Sequence, residues 1–144
     1  MEEQRKKRYK EKLERLVQTI ENLNDWTEGI DDKKFDEEVE LVKKYGIYHA
    51  FQIAVEIIAD IAAMTVKDSN IIPKDDYSNL DVLKNKKIIK SNLADQLKEA
   101  NGLRNRIVHD YNGLNNKIVY NRILDLVKSI ENFKEAIENW LTNV

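Results

Sequence analysis

Between Leu103 and Tyr111 the chain reads Leu-Arg-Asn-Arg-Ile-Val-His-Asp-Tyr, directly before the turn pair Asn112-Gly113. Arg104 carries a permanent charge on a planar fork of donors that matches a phosphate. His109, one of two histidines in the chain, exchanges a proton near neutral pH. Asn105 and His109 are i and i+4, hence neighbours on a helix. Arg104 and Tyr111 are seven apart and share a face if helical geometry persists that far. An arginine and a histidine together can cleave RNA without a metal. The imidazole assists attack by the ribose 2′-hydroxyl, and the guanidinium stabilises the charge added to the phosphorane-like transition state. A 2′,3′-cyclic phosphate would be the product. Such cleavage wants an acid and a base, whereas one motif carries one histidine. A symmetric homodimer bringing His109 and Arg104 from two protomers to one cleft would supply both. The plainer readings are a helix-terminal histidine interacting with the macrodipole, worth under about 1 kcal/mol, and a packing tyrosine before a turn.

The elements that must hold this stretch read as long amphipathic helices. In the first, from Gln4 to before Asn24, Tyr9, Leu13, Leu16, Ile20 and Leu23 recur at spacings of four and three. Its basic start, Arg5, Lys6, Lys7, Arg8, Lys10 and Lys12, reads first as a solvated helix end and second as an arm for a nucleic-acid backbone. Trp26 to Asp32 forms a connection with Gly29 as breaker. A second helix is expected from Lys33 to Lys67, with Phe35, Val39 and Val42 inward and Gly46 offering a bend or a close crossing. From Ile47 it is apolar over most of its circumference, as in the middle of a bundle or against a second subunit. Only His49, Gln52, Glu56 and Asp60 break that surface, stepping by three or four along one edge. Two acids there call for a basic answer unless the edge reaches solvent. Arg104 and Arg106 are the candidates, which makes Glu56, Asp60 and Arg106 supporting residues of the motif.

A loop at Ser69–Asp76 containing Pro73, a short helix from Tyr77 to Lys87, and a fourth helix capped by Ser91 or Asn92 lead into the motif. The last helix starts at Asn115 or Asn116. There Val119, Ile123, Leu126, Ile130, Phe133, Ile137 and Trp140 alternate four and three. The expectation is all-α: one domain over residues 1–144, an up-and-down bundle of four long helices and one short one.

Composition agrees. The chain has 144 residues, one proline and four glycines, and a net charge of −2 spread over 35% charged residues. Mixed charge of this kind solvates bundle faces and gives no support for coating DNA through overall charge. With no cysteine, disulfides, thiolate metal sites and cysteine nucleophiles are excluded. Two histidines sixty positions apart argue against a histidine metal site. No apolar run approaching a membrane span and no signal-peptide pattern is evident, so a cytoplasmic protein without membrane contact is expected.

Arg104-Asn105 followed by Ile-Val-His109-Asp-Tyr111 resembles the Arg-x4-His-x-Tyr signature of HEPN-domain proteins, nearest to the HepT-like toxins of MNT–HEPN toxin–antitoxin pairs. The resemblance extends from about Phe35 through Gln52-Ile-Ala-Val-Glu56-Ile-Ile-Ala-Asp60, the Pro73 loop, the short helix and the final helix. It implies a metal-independent endoribonuclease toxin needing no cofactor. Arg104 and His109 match the residues on which the family's activity depends, and Asn105 the polar residue that follows the arginine. Tyr111 matches the tyrosine that an MNT-type nucleotidyltransferase antitoxin modifies with AMP. A homodimer is implied as well. The competing expectation is a noncatalytic nucleotide-binding or interaction subunit of a nucleotidyltransferase complex, because a fold by itself does not establish cleavage.

Overall fold

A computed structural model describes all 144 residues. The chain folds as α1 (Glu3–Thr27), α2 (Asp32–Glu37), α3 (Leu41–Asp68), α4 (Asp76–Asn85), α5 (Ser91–His109) and α6 (Asn116–Leu141), with a 3-10 turn at Tyr111–Gly113. The four long helices alternate in direction. Arg5 and Lys12 of α1 meet Asp68 and Asp60 of α3, which sets those two helices antiparallel. Gln96 and Glu99 of α5 meet Ser129 and Arg122 of α6 in the same sense. Tyr9 packs edge-on against Trp140, closing α1 onto α6.

The all-α bundle expected from periodicity is the observed fold. Tyr9, Leu13, Leu16, Ile20 and Leu23 of α1 and the Val119–Ile137 series of α6 are all buried in one apolar cluster to which every helix contributes. The apolar second half of α3 lies at the centre, in contact with α1, α4, α5 and α6. Its hydrophobicity is therefore satisfied inside one chain. By length and composition α3 would also suffice to cross a membrane, contrary to the expectation that no stretch approaches a span, but 61% of its apolar window is buried in the bundle.

Several local expectations are corrected. The single helix expected over Lys33–Lys67 is two, broken at residues 38–40. Asp31 caps α2 by accepting from the Lys34 backbone N–H at 2.8 Å, and Glu40 restarts the chain in an extended conformation. Phe35 drives the break, because its ring is fully buried and stacked on Tyr120 at 4.2 Å, which docks α2 on α6. The break resets helical phase, so Val42 is 80% exposed rather than inward. Gly46 does not serve a close crossing, since a Cβ there would meet nothing within 4 Å, and α3 runs through it unbroken. Trp26 lies within α1, and α4 is a second short helix beside α2, not the only one. The start of α5 has Lys90 at its N-cap with no side-chain cap from Ser91 or Asn92. Asn115 does cap α6, accepting from the Ile118 N–H at 3.1 Å.

Candidate active site

Arg104 points from α5 onto the polar edge of α3. Its Nη2 donates to Glu56 Oε1 at 2.8 Å, and its Nη1 donates to Asn105 Oδ1 at 2.9 Å. Gln52, one turn before Glu56, donates its Nε2 to the same Oε1 at 3.0 Å. Glu56 thus holds one edge of the guanidinium while Gln52 holds Glu56. The Arg104 guanidinium keeps the Glu56 carboxyl below the usual carboxylate range despite partial burial, with smaller contributions from Gln52 and His49. Arg104 Nε is buried without a partner. The planar guanidinium is thus oriented through both of its terminal nitrogens.

Arg104 answers Glu56 as the polar stripe required. Asp60 does not join them; it pairs with Lys12 of α1 at 3.5 Å and is largely exposed. Arg106 is exposed and makes no ion pair with either acid. The reason is angular: two positions along a helix turn a side chain about 200° away, so Arg104 and Arg106 cannot address one neighbour. Of the basic start of α1, Arg5 and Lys12 are spent on the fold, while Lys7, Arg8 and Lys10 are exposed. Arg5 and the Tyr9 hydroxyl both donate to Asp68 Oδ2, at 2.8 and 2.7 Å.

α5 ends at His109, where the imidazole is exposed in the last turn. Asp110 leaves the helical region, with φ −139° and ψ 47°, and its backbone N–H still bonds to the Arg106 carbonyl. Helical geometry does not persist to Tyr111, so Arg104 and Tyr111 do not share a helix face. The 3-10 turn instead folds Tyr111 back onto α3. Its ring lies 4.8 Å from Tyr45 and 5.7 Å, edge-on, from Tyr48. Burial, reinforced by Tyr45, pushes the Tyr111 phenol up to about 12, so it is neutral at physiological pH. Tyr48 is anchored in turn by donating to Asn116 Oδ1 at 2.6 Å. Gly113 completes the turn: a Cβ there would meet the Asp110 carboxylate at 2.7 Å.

Tyr45 and Tyr48 are the site neighbours that periodicity missed. They lie upstream of the polar stripe, and only the turn after His109 brings Tyr111 to them. The whole arrangement is an open edge between α3 and α5. A separate surface groove lies between the Lys86–Lys90 loop and the end of α6 near Trp140. An exposed edge bearing a cation and an imidazole suits one phosphate of a polymer better than an enclosed small molecule. No group of three or more His, Cys, Asp or Glu side chains converges in metal-binding fashion.

The chain is similar to known proteins over most of its length. An Archaeoglobus fulgidus protein named "Putative RNase" is 31% identical over 140 residues, covering 97% of this chain and 98% of its own. The solved tri-AMPylated Shewanella oneidensis HEPN toxin, in complex with MNT antitoxin, superposes with a TM-score of 0.80 at 24% identity, over 91% of this chain and 96% of that one. The cytosolic protein YutE of Bacillus subtilis, of unknown function, superposes at 0.71 with 17% identity, over 93% and 91%. The family model described as Ribonuclease HepT-like matches residues 13–137. With its six-helix bundle and the Arg104–Tyr111 stretch on an open edge, the chain belongs to the HepT-like ribonuclease family.

Proposed function

We propose that this chain is a metal-independent endoribonuclease toxin, a homodimer paired with an MNT-type nucleotidyltransferase antitoxin. Arg104 binds the scissile phosphate and stabilises the charge of the transition state. His109 takes the proton from the attacking 2′-hydroxyl, and Asn105 orients the guanidinium. Tyr111 is the control point: AMP attached to its hydroxyl adds negative charge and bulk to the α3–α5 edge that also carries Arg104 and excludes RNA. The observation that carries this reading is the Arg104 guanidinium, ordered by Glu56 and Asn105 five positions before an exposed His109. Family membership and the toxin–antitoxin complex of the structural neighbour support it. Exposed Leu41, Val42 and Tyr45 at the start of α3 offer apolar surface for a second protomer.

Purified protein incubated with RNA in EDTA tests the reading. Cleavage persists with the wild type and falls by at least about 100-fold in Arg104→Ala and in His109→Ala. Cleavage abolished by EDTA, or unaffected by both substitutions, overturns it. An inert wild type that binds its partner without cutting RNA would favour the noncatalytic subunit.

A further inference from the structure

The surface groove between the Lys86–Lys90 loop and the end of α6 takes no part in the site described above. Its volume is about 680 Å³, and it lies at the opposite end of α5 from His109, about 27 Å away along the helix axis. One wall carries Lys86, Lys87 and Lys90, all exposed. None of the three is ion-paired; the paired lysines at this end are Lys84 and Lys98, which both meet Asp81. The other wall is the end of α6. Asn132 and Asn139, seven positions apart, share a helix face. Asn143 extends the row, donating its Nδ2 to the Asn139 carbonyl at 3.0 Å. Trp140, held edge-on against Tyr9 and partly exposed, lies beside these amides. Glu135 is the only acid in the lining. Three cations against one acid, in a chain whose net charge is −2, make the groove a locally positive site.

Two of these lysines stand where the backbone favours other residues. The chain leaves α4 through a Schellman turn, with the Ile88 N–H on the Leu83 carbonyl and the Lys87 N–H on the Lys84 carbonyl, both at 2.9 Å. Its left-handed position, at φ 61°, commonly holds glycine or asparagine and holds Lys87 here. Lys90 occupies the N-cap of α5, where Ser, Asp or Asn would bond the first-turn amides and where a cation opposes the helix dipole. Both positions give up local stability, and both line the groove. We propose that this groove is a second RNA-binding site. The three lysines hold phosphates of a single-stranded segment, and the amide row with Trp140 takes its bases and sugars. The choice of RNA rests on the ribonuclease reading, to which the groove adds a contact remote from the cleaved bond. Such a contact lowers KM for a long RNA and leaves the chemical step alone.

The double variant Lys87→Gly, Lys90→Ser removes two of the cations and installs the residues the backbone favours, so its urea midpoint stays at or above that of wild type. Binding of a single-stranded RNA oligonucleotide is followed by fluorescence anisotropy over a salt series, in a His109→Ala background so that the RNA stays whole. On the same RNA, kcat and KM are measured with His109 present. At about 0.1 M salt the double variant binds about 10–30-fold more weakly, and its slope of log affinity against log salt is shallower by about 1.4, about 0.7 for each lysine. KM rises by a similar factor while kcat is unchanged. A control pair, Lys10→Gln with Lys33→Gln, removes the same charge from exposed positions elsewhere and leaves slope and KM as in wild type. A wild-type slope and KM in the double variant, a fall in kcat at unchanged KM, or an equal loss in the control pair overturns the groove assignment with the ribonuclease reading intact. Unchanged RNA binding with loss of the nucleotidyltransferase complex makes the groove a protein contact and overturns it too. A wild type that binds RNA through these lysines without cutting it supports the groove and overturns the ribonuclease reading. A wild type that neither binds nor cuts RNA overturns both.

Discussion

Arg104 illustrates how a permanent charge is made usable. A surface arginine samples many rotamers and loses that freedom on binding. Here Glu56 and Asn105 take two of its donors before any ligand arrives, which leaves the remaining edge oriented. The cost is partial neutralisation by Glu56, whose own position is shared with Gln52. Tyr111 is prepared differently. Its phenol is pushed up to about 12 by burial and by Tyr45, so at neutral pH it is a poor nucleophile on its own. Transfer of AMP to it requires a base from the transferring enzyme. Intact mass spectrometry of the chain coexpressed with the proposed nucleotidyltransferase partner should therefore show AMP increments, which vanish in Tyr111→Phe. Increments that persist in Tyr111→Phe would place the modification elsewhere.

At the scale of elements, the break between α2 and α3 does the most work. Phe35 is fully buried among Tyr48 and Tyr120, and Lys44 lies 5.8 Å from its ring centroid. Tyr48 in turn contacts Tyr111. An aromatic chain thus connects the docking of α2 on α6 to the turn that carries the proposed control residue. Phe35→Ala should cost about 3–5 kcal/mol, read as a lowered urea midpoint. It should also raise hydrogen exchange at the Tyr111–Gly113 turn. A loss below about 1 kcal/mol would show that α2 is not held by this ring. The other decisive element is the end of α5. Because the helix stops at His109, the next two residues swing Tyr111 to α3 instead of continuing along the Arg104 face.

For the whole molecule, the joints between long helices are charged and respond to pH. Partial burial by itself would raise the Asp68 carboxyl, yet Arg5 and Tyr9 hold it below its ordinary range. Arg104 does the same for Glu56. Both carboxyls are thus depressed in the folded state, so the unfolded chain binds more protons under mildly acid conditions. Their stabilisation is complete above the unfolded carboxylate values of about 4 and is lost as pH falls through the lower folded ones. The melting temperature should be level from neutral pH to about 5 and drop below about 4. That drop should be shallower in the double variant Glu56→Gln, Asp68→Asn, and an unchanged slope would count against both pairs.

The amino-acid sequence by itself determined the helical class, the buried faces of α1 and α6 and the stretch worth watching, because these follow from local periodicity and residue chemistry. From charge alone it also offered Arg104 and Arg106 as answers to Glu56 and Asp60, of which the Arg104–Glu56 pair forms. Tertiary structure decided the rest. Which cation meets which acid depends on the angle between packed helices, so Lys12, not Arg106, reached Asp60. The split at residues 38–40 depends on Phe35 finding Tyr120, 85 positions away in sequence. The closeness of Tyr111 to Tyr45 and of Arg104 to Glu56 likewise comes from the packing of α3 against α5, which no local pattern in either helix specifies.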